Sequence, residues 1–282
     1  MAVVKFNFLS KELGMQTNVT IILPSFSFAD IMKGRKEVYV PGMKFQTLYL
    51  LHGGSGDDSD YVNFSNITRY ADQNKLAVVM PSAYNSFYAN LQYGPRVWNF
   101  ISEELPKVCQ TMFPLSPKRE DNFVAGLSMG GSGAMKLALK KPEMFAAALC
   151  MSGASINPDK VGDFGKHRGR MSDDGPAMPS LESLFGDLSK FKGSEEDMYF
   201  QAEQNVEQGK ELPKFYLTCG DKDFALEGVK EARDHLKKLG YDVFYEEVPG
   251  YGHEWDFWDL TLKKAINEWL PIRHDAIYPG EE

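Results

Sequence analysis

The chain has 282 residues, 43% of them hydrophobic and 25% charged, which is enough apolar material for a sizeable core and too much for a disordered or fibrous chain. Its 31 Lys plus Arg against 39 Asp plus Glu leave a formal net charge of -8, so no general attraction to nucleic acid or an anionic membrane is implied. Cys109, Cys150 and Cys219 lie far apart and allow one bridge at most, a poor disulfide framework that fits a reducing compartment. The N-terminal MAVVKFNFLS has no basic n-region or sustained apolar h-region, and no 18-residue apolar stretch occurs. The expectation is a cytoplasmic protein without a membrane span.

In chain order, Val3 to Leu9 and Met15 to Leu23 flank KELG and read as an antiparallel pair of strands. Phe45 to Leu51 supplies a short buried strand that runs straight into HGGSGDD, a Gly-rich loop whose backbone can turn tightly and approach a ligand. Leu76 to Met80, Asn122 to Ala125, Phe145 to Met151, Phe215 to Cys219 and Val243 to Val248 repeat that pattern. Helical stretches fall between them at Val97 to Met112, Met129 to Lys140, Leu226 to Leu239 and Trp255 to Leu270. Such alternation predicts an α/β class, with a mostly parallel sheet flanked by helices on both faces.

Residues 154–208 break the rhythm, with Gly, Pro, Ser and acidic residues interleaved with Phe164, Met171, Met178, Leu184, Phe185 and Tyr199. This range reads as a lid-like insertion of small helices over the sheet, where it would shape an entrance. The alternation resumes afterwards, so residues 1–282 are expected to form a single elaborated domain.

The sharpest chemical signal is Gly126-Leu127-Ser128-Met129-Gly130 between a strand and a helix, the form of a nucleophile elbow that projects Ser128 at the carboxyl end of the sheet. A serine hydroxyl needs a base to take its proton. His253, in PGYGHE after the last strand, stands late enough in the chain for the order Ser, Asp, His. The acid that orients it comes from CGDKDF, where spacing leaves Asp221 and Asp223 as competitors. Oxyanion donors are expected from the Met129 N–H and from the loop His52-Gly53-Gly54-Ser55; Gly54 is the choice there, with Gly53 and Ser55 as alternatives. His52 precedes the nucleophile and supports its loop instead of serving as base.

These segments together resemble the esterase D and tributyrin esterase family of α/β-hydrolases, which includes S-formylglutathione hydrolases and bacterial carbohydrate-ester esterases. The resemblance spans most of the chain and rests on LYLLHGGSGD at 48–57, YGPRVWNFISEELP at 93–106, GLSMGGSGA at 126–134, CGDKDF at 219–224 and GHEWDFWD at 252–259. It implies an α/β-hydrolase fold in which Ser128 is the nucleophile, Asp223 the acid and His253 the base, with oxyanion N–H groups from Gly54 and Met129. It also implies a serine carboxylesterase for short-chain acyl esters, including acetyl or hydroxycinnamoyl esters of plant carbohydrates. The loop reads HGG where S-formylglutathione hydrolases usually have a differently composed loop with a cysteine nearby, which argues against glutathione thioesters.

No cofactor and no metal are expected. His52 with Asp57, Asp58 and Asp60, or His253 with Glu254 and Asp256, carry ligand chemistry, but a solvated turn and the catalytic assignment account for them. GLSMGGSG lacks the Lys and spacing of a phosphate-binding loop. Tyr84, Phe87, Tyr88 and Tyr93 surround a polar connection after the strand ending at Met80, where they either line a substrate cleft or close a core, while Trp98 and Phe100 are expected to bury against the sheet and Trp255 and Trp258 to anchor the last helix and orient the loop bearing His253. The expected partner is a small-molecule or oligosaccharide ester, with no nucleic acid and no membrane; a homo-oligomer is allowed.

Overall fold

The structure, a computed structural model, describes residues 1–26, 28–32, 34, 39–162 and 179–280. Among the described residues eight strands form one sheet: β1 (Ala2–Ser10), β2 (Met15–Leu23), β3 (Thr47–Leu51), β4 (Ala77–Pro81), β5 (Asn122–Leu127), β6 (Ala147–Met151), β7 (Lys214–Gly220) and β8 (Val243–Val248). Their order is β1-β2-β4-β3-β5-β6-β7-β8. The pairs β1/β2 and β2/β4 are antiparallel, and the remaining pairs are parallel. From β3 the chain passes to β4 on one side and then to β5 on the other. In open α/β sheets such a reversal marks the carboxyl ends of the diverging strands, here β3 and β5, as the place where ligands bind.

Six helices concern the site: α1 (Ile67–Gln73), α2 (Leu105–Met112), α3 (Met129–Lys140), α4 (Met198–Glu207), α5 (Leu226–Lys238) and α6 (Trp255–Lys264). Strand side chains alternate between faces, so each parallel strand feeds two cores. Tyr49, Leu51, Val124, Ala148, Cys150, Phe215, Leu217 and Cys219 pack with α2, α3, α4 and α5. Leu48, Leu50, Phe123, Ala125, Leu127, Leu149, Met151 and Tyr216 pack with α1 and α6. The three cysteines are buried free thiols. No helix among the described residues is long and apolar enough to cross a membrane.

Two predicted elements differ in detail. The helix over 97–112 is interrupted by a π-turn at Phe100–Glu104, just before Pro106 of α2. A proline ring collides with the carbonyl four residues earlier and offers no N–H, and a wider turn relieves both conflicts. The helix from Trp255 likewise ends in a π-turn, Ala265–Trp269, ahead of Pro271.

Within 154–208, residues 163–178, including Phe164, Met171 and Met178, lie outside the described residues. Val161, Leu181, Leu184 and Phe191 form a small separate cluster, against which Phe87, Leu91 and Phe185 pack. By α4 the chain is back on the main core, where Met198 and Ala202 are buried and the Asp197 carboxylate caps the helix through Tyr199 and Phe200 N–H.

The helix α3 crosses its strand so closely that side chains are excluded. A methyl on Gly126 would lie 2.1 Å from the Gly130 carbonyl oxygen, and one on Gly130 would lie 2.1 Å from the Leu51 carbonyl oxygen. Backbone atoms cannot step aside as a flexible side chain can. The substitution Gly130→Ala is therefore expected to cost about 1–3 kcal/mol, read as a lower urea midpoint at unchanged slope. The control Gly228→Ala, on α5 with no atom within 4 Å of the new methyl, should hold or raise the midpoint because alanine favours a helix by up to about 1 kcal/mol. Equal midpoints for the two variants would contradict the close crossing.

Candidate active site

Between β5 and α3 the backbone reverses at Ser128, with φ 52° and ψ −119°. A non-glycine residue resists this region, so the surroundings must hold it. Its N–H donates to the Met151 carbonyl at 2.8 Å, and its own carbonyl accepts from Gly131 N–H at 3.0 Å and Ser132 N–H at 3.2 Å. With its backbone secured, the Ser128 side chain turns toward His253, whose Nε2 stands 2.9 Å from Oγ.

His253 lies on the loop between β8 and α6. This loop is tied to the one after β7: Asp221 N–H donates to the Val248 carbonyl and Lys222 N–H to the Tyr251 carbonyl. The Asp221 carboxylate accepts the Gly250 N–H at 2.7 Å. Asp223, two residues on, turns inward, and both its oxygens are 3.0 Å from His253 Nδ1. The carboxylate can only accept, so Nδ1 carries the proton and Nε2 presents its lone pair to the Ser128 hydroxyl. Of the two competing acids, Asp223 faces the imidazole and Asp221 fastens the loop.

Burial pushes the Asp223 carboxyl pKa up, but hydrogen bonds from His253, Ser152 and the Ala225 N–H outweigh it and bring the pKa below the usual 3.8. The group thus remains ionised beside the imidazole. Trp258 stands edge-on to the His253 ring at 5.0 Å, and Phe224 lies over it at 4.4 Å. The Trp258 indole N–H donates to Ser152 Oγ at 2.9 Å. Ser152 is a member of the site that sequence reasoning missed. Its signal is positional, since it follows β6 directly, next to the strand that leads into Ser128, and shares a positive φ, 50°.

The Met129 N–H opens α3, where the first four helical N–H groups have no carbonyl partner and the helix dipole is positive. Beside it passes the loop after β3: a methyl on Gly53 would lie 2.5 Å from Leu127 Cδ1 and 3.6 Å from Ser128 Cβ. Among the three candidate donors there, the Ser55 N–H is already given to Asn85 Oδ1 at 2.6 Å. Gly54 is exposed, and no acceptor among the described residues takes its N–H.

His52 is buried and bonded to backbone, with the Ala83 N–H at Nε2. Asp58 accepts from Thr20 Oγ1, Lys5 Nζ and Ser82 Oγ, which binds the Gly-rich loop to the antiparallel edge of the sheet. Among the described residues no three His, Cys, Asp or Glu side chains converge as metal ligands. Tyr88 does not line a cleft: it is fully buried and donates its hydroxyl to the His52 carbonyl at 2.8 Å. Tyr84 and Tyr93 are exposed, and Phe87 packs across two apolar clusters.

The Esterase family model matches residues 10–268. An acetyl esterase of Caldicellulosiruptor saccharolyticus is 32% identical over 96% of this chain and 98% of its own length. Among solved structures, fluorophosphonate-binding serine hydrolase F of Staphylococcus aureus, with substrate bound, superimposes with TM-score 0.81 at 34% identity, covering 95% of this chain and 98% of that one. An S-formylglutathione hydrolase from Staphylococcus aureus, as apoenzyme, gives TM-score 0.78 at 33% identity over the same shares. The expected α/β-hydrolase fold and enzyme class are thereby met, and the chain belongs to the esterase family of α/β-hydrolases as a serine-type carboxylesterase.

Proposed function

We propose that the chain hydrolyses short-chain acyl esters through a two-step acyl-enzyme reaction at Ser128, His253 and Asp223. The observation that carries this reading is the continuous hydrogen-bond path from Ser128 Oγ to His253 Nε2 and from Nδ1 to Asp223. Ser128 Oγ attacks the ester carbonyl while Nε2 takes its proton. The tetrahedral oxyanion accepts from the N–H groups of Met129 and Gly54. Collapse expels the alcohol, which receives the proton from the imidazolium, and the ionised Asp223 stabilises that cation. Water then gives a proton to Nε2 as its oxygen bonds to the acyl carbon, and collapse of this second tetrahedral species breaks the bond to Ser128 Oγ, which takes the proton back from the imidazolium as the carboxylic acid leaves.

The similarity to an acetyl esterase favours acetyl esters, with hydroxycinnamoyl esters of plant carbohydrates as the larger alternative. The similarity to an S-formylglutathione hydrolase keeps a thioester alternative despite the HGG loop, and acyl transfer to an alcohol would use the same acyl enzyme. On this reading residues 1–282 form one domain, and the range 154–208 adjusts acyl access. The separate cluster around Leu181 and Leu184 supports a specificity role apart from the sheet core.

Kinetics separate the two aspartates. Ser128→Ala should abolish turnover of p-nitrophenyl acetate, and Asp223→Asn should lower kcat by about 10⁴-fold through the wrong imidazole tautomer. Asp221→Asn should cost less than about tenfold, since its partner is a loop N–H and not the reacting base. A residual Asp223→Asn rate close to that of Asp221→Asn would overturn the assignment. For substrate, acetyl, butyryl, feruloyl and S-formylglutathione compounds compared by kcat/KM should rank acetyl first, and addition of alcohol acceptors should not divert the product from acid to ester. A dominant thioester rate or dominant transfer would replace this reading with the corresponding alternative.

The lowered Asp223 pKa also fixes the sign of a pH effect. Ionised Asp223 stabilises the fold fully above the unfolded carboxyl value of 3.8, and this contribution disappears as pH falls through the lower folded value. The stability difference between the parent chain and Asp223→Asn should therefore narrow as urea titrations are taken below about pH 4. A difference independent of pH in that range would contradict the depressed pKa.

A further inference from the structure

His52 stands outside the path from Ser128 to Asp223, yet both of its ring nitrogens are engaged. The Ala83 N–H donates to Nε2 at 2.9 Å. An amide N–H can only donate, so Nε2 holds a lone pair and the proton of the neutral ring is on Nδ1. Nδ1 lies 2.7 Å from the Gly53 carbonyl oxygen, which can only accept, and therefore donates to it. Burial holds the His52 pKa below 6.5, against the Gly53 bond and the carboxylates of Asp60, Asp57 and Asp58, so the neutral ring persists at neutral pH.

The Gly53 carbonyl belongs to the same peptide unit as the Gly54 N–H. In a planar trans peptide these two groups point in opposite directions, and the described residues contain no cis peptide. Fixing the carbonyl on the imidazole therefore fixes the N–H away from it. A hydrogen bond accepted by the carbonyl also polarises the N–H across the conjugated unit. The surrounding loop admits little rotation: Tyr61 donates to the Leu51 carbonyl at 2.9 Å and Tyr88 to the His52 carbonyl at 2.8 Å. On the far side, Gly53 abuts Leu127 and Ser128.

We propose that His52 is a positioning residue for ester hydrolysis, whose Nδ1–H acts through the Gly53–Gly54 peptide to aim and strengthen the Gly54 N–H toward the tetrahedral oxyanion. This rests on the assignment of Ser128 and Gly54 above. His52 neither accepts a proton from substrate nor touches it.

Two substitutions divide the ring's functions. In His52→Asn the amide can reproduce the Nδ1 donor but does not reach Ala83; in His52→Gln it can reach the Nε2 position as acceptor, and the donor to Gly53 is lost. With p-nitrophenyl acetate, His52→Gln should lower kcat about tenfold with KM within about twofold, a fraction of the 10²–10³ lost when an oxyanion donor is removed outright. Affinity for an alkyl trifluoromethyl ketone, which forms a tetrahedral adduct, should fall with kcat. His52→Asn should recover most of kcat even where its urea midpoint is the lower of the two.

Parent-level kcat in His52→Gln, or equal losses in both variants that follow stability, would overturn the proposal. Activity surviving in Ser128→Ala would instead remove the reading beneath it. Should His52→Gln fail to fold, the imidazole ¹⁵N spectrum of the parent protein decides: a neutral ring protonated at Nδ1 supports the proposal, and one protonated at Nε2 overturns it.

Discussion

The site depends on one backbone reversal, at Ser128. Holding a serine at φ 52° and ψ −119° costs about 1–3 kcal/mol, and the surrounding contacts show how the cost is met. The absence of side chains at Gly126 and Gly130 lets α3 descend onto β3 and β5. The Met151 carbonyl holds the serine N–H, and the first turn of α3 holds its carbonyl. That close descent aims the amino end of α3 at the hydroxyl, so nucleophile and Met129 N–H come from one bend. It also brings the loop after β3 against Leu127 and Ser128, the loop that carries the proposed second donor.

The rest of the site follows from parallel strands ending together. β3, β5, β6 and β7 deliver the Gly-rich loop, Ser128, Ser152 and Asp223 respectively, all at their carboxyl ends. The β8 loop closes the group with His253. Hydrogen bonds between the β7 and β8 loops, among them Gly250 N–H to the Asp221 carboxylate, tie down the segment that carries the imidazole. The acid motif thus supplies two carboxylates with separate duties: Asp223 turns inward to the ring and Asp221 holds the strap that carries it.

The strands of the parallel part were legible because short continuous apolar runs bounded by Gly, Pro and Ser are the signature of a sheet buried on both faces. Ser128 and His253 were legible for a related reason, since each lies in a short segment whose chemistry and place in chain order agree. The choice between Asp221 and Asp223 was not available from spacing. Two residues on one loop can face opposite ways, and the direction is set by partners near position 250 that the local sequence does not contain. Ser152 was missed on the same ground, because its meaning comes from Trp258, 106 residues further along. Tyr88 stayed open between cleft and core because an aromatic residue near the active face reads alike whether its ring meets substrate or, as here, fills the core under His52. Pro106 was visible, but the π-turn that accommodates it was not, because a proline is compatible with a helix end as well as a widened turn.

The two histidines of the site illustrate how surroundings divide one chemistry into two roles. His253 keeps 21% of its side chain exposed and meets a hydroxyl that can both give and receive a proton, so its protonation can alternate during turnover. His52 is 1% exposed and meets an amide N–H that cannot accept and a carbonyl that cannot donate, so either change of protonation would break a buried hydrogen bond. In the proposed reaction the mobile proton is thereby confined to the ring held by Asp223 and flanked by Trp258 and Phe224. A second imidazole near the nucleophile would be a hazard if it could compete for the serine proton. Tied to the peptide backbone on both sides, it is instead available for holding the oxyanion loop, where a neutral, fixed donor is of more use than a titrating one.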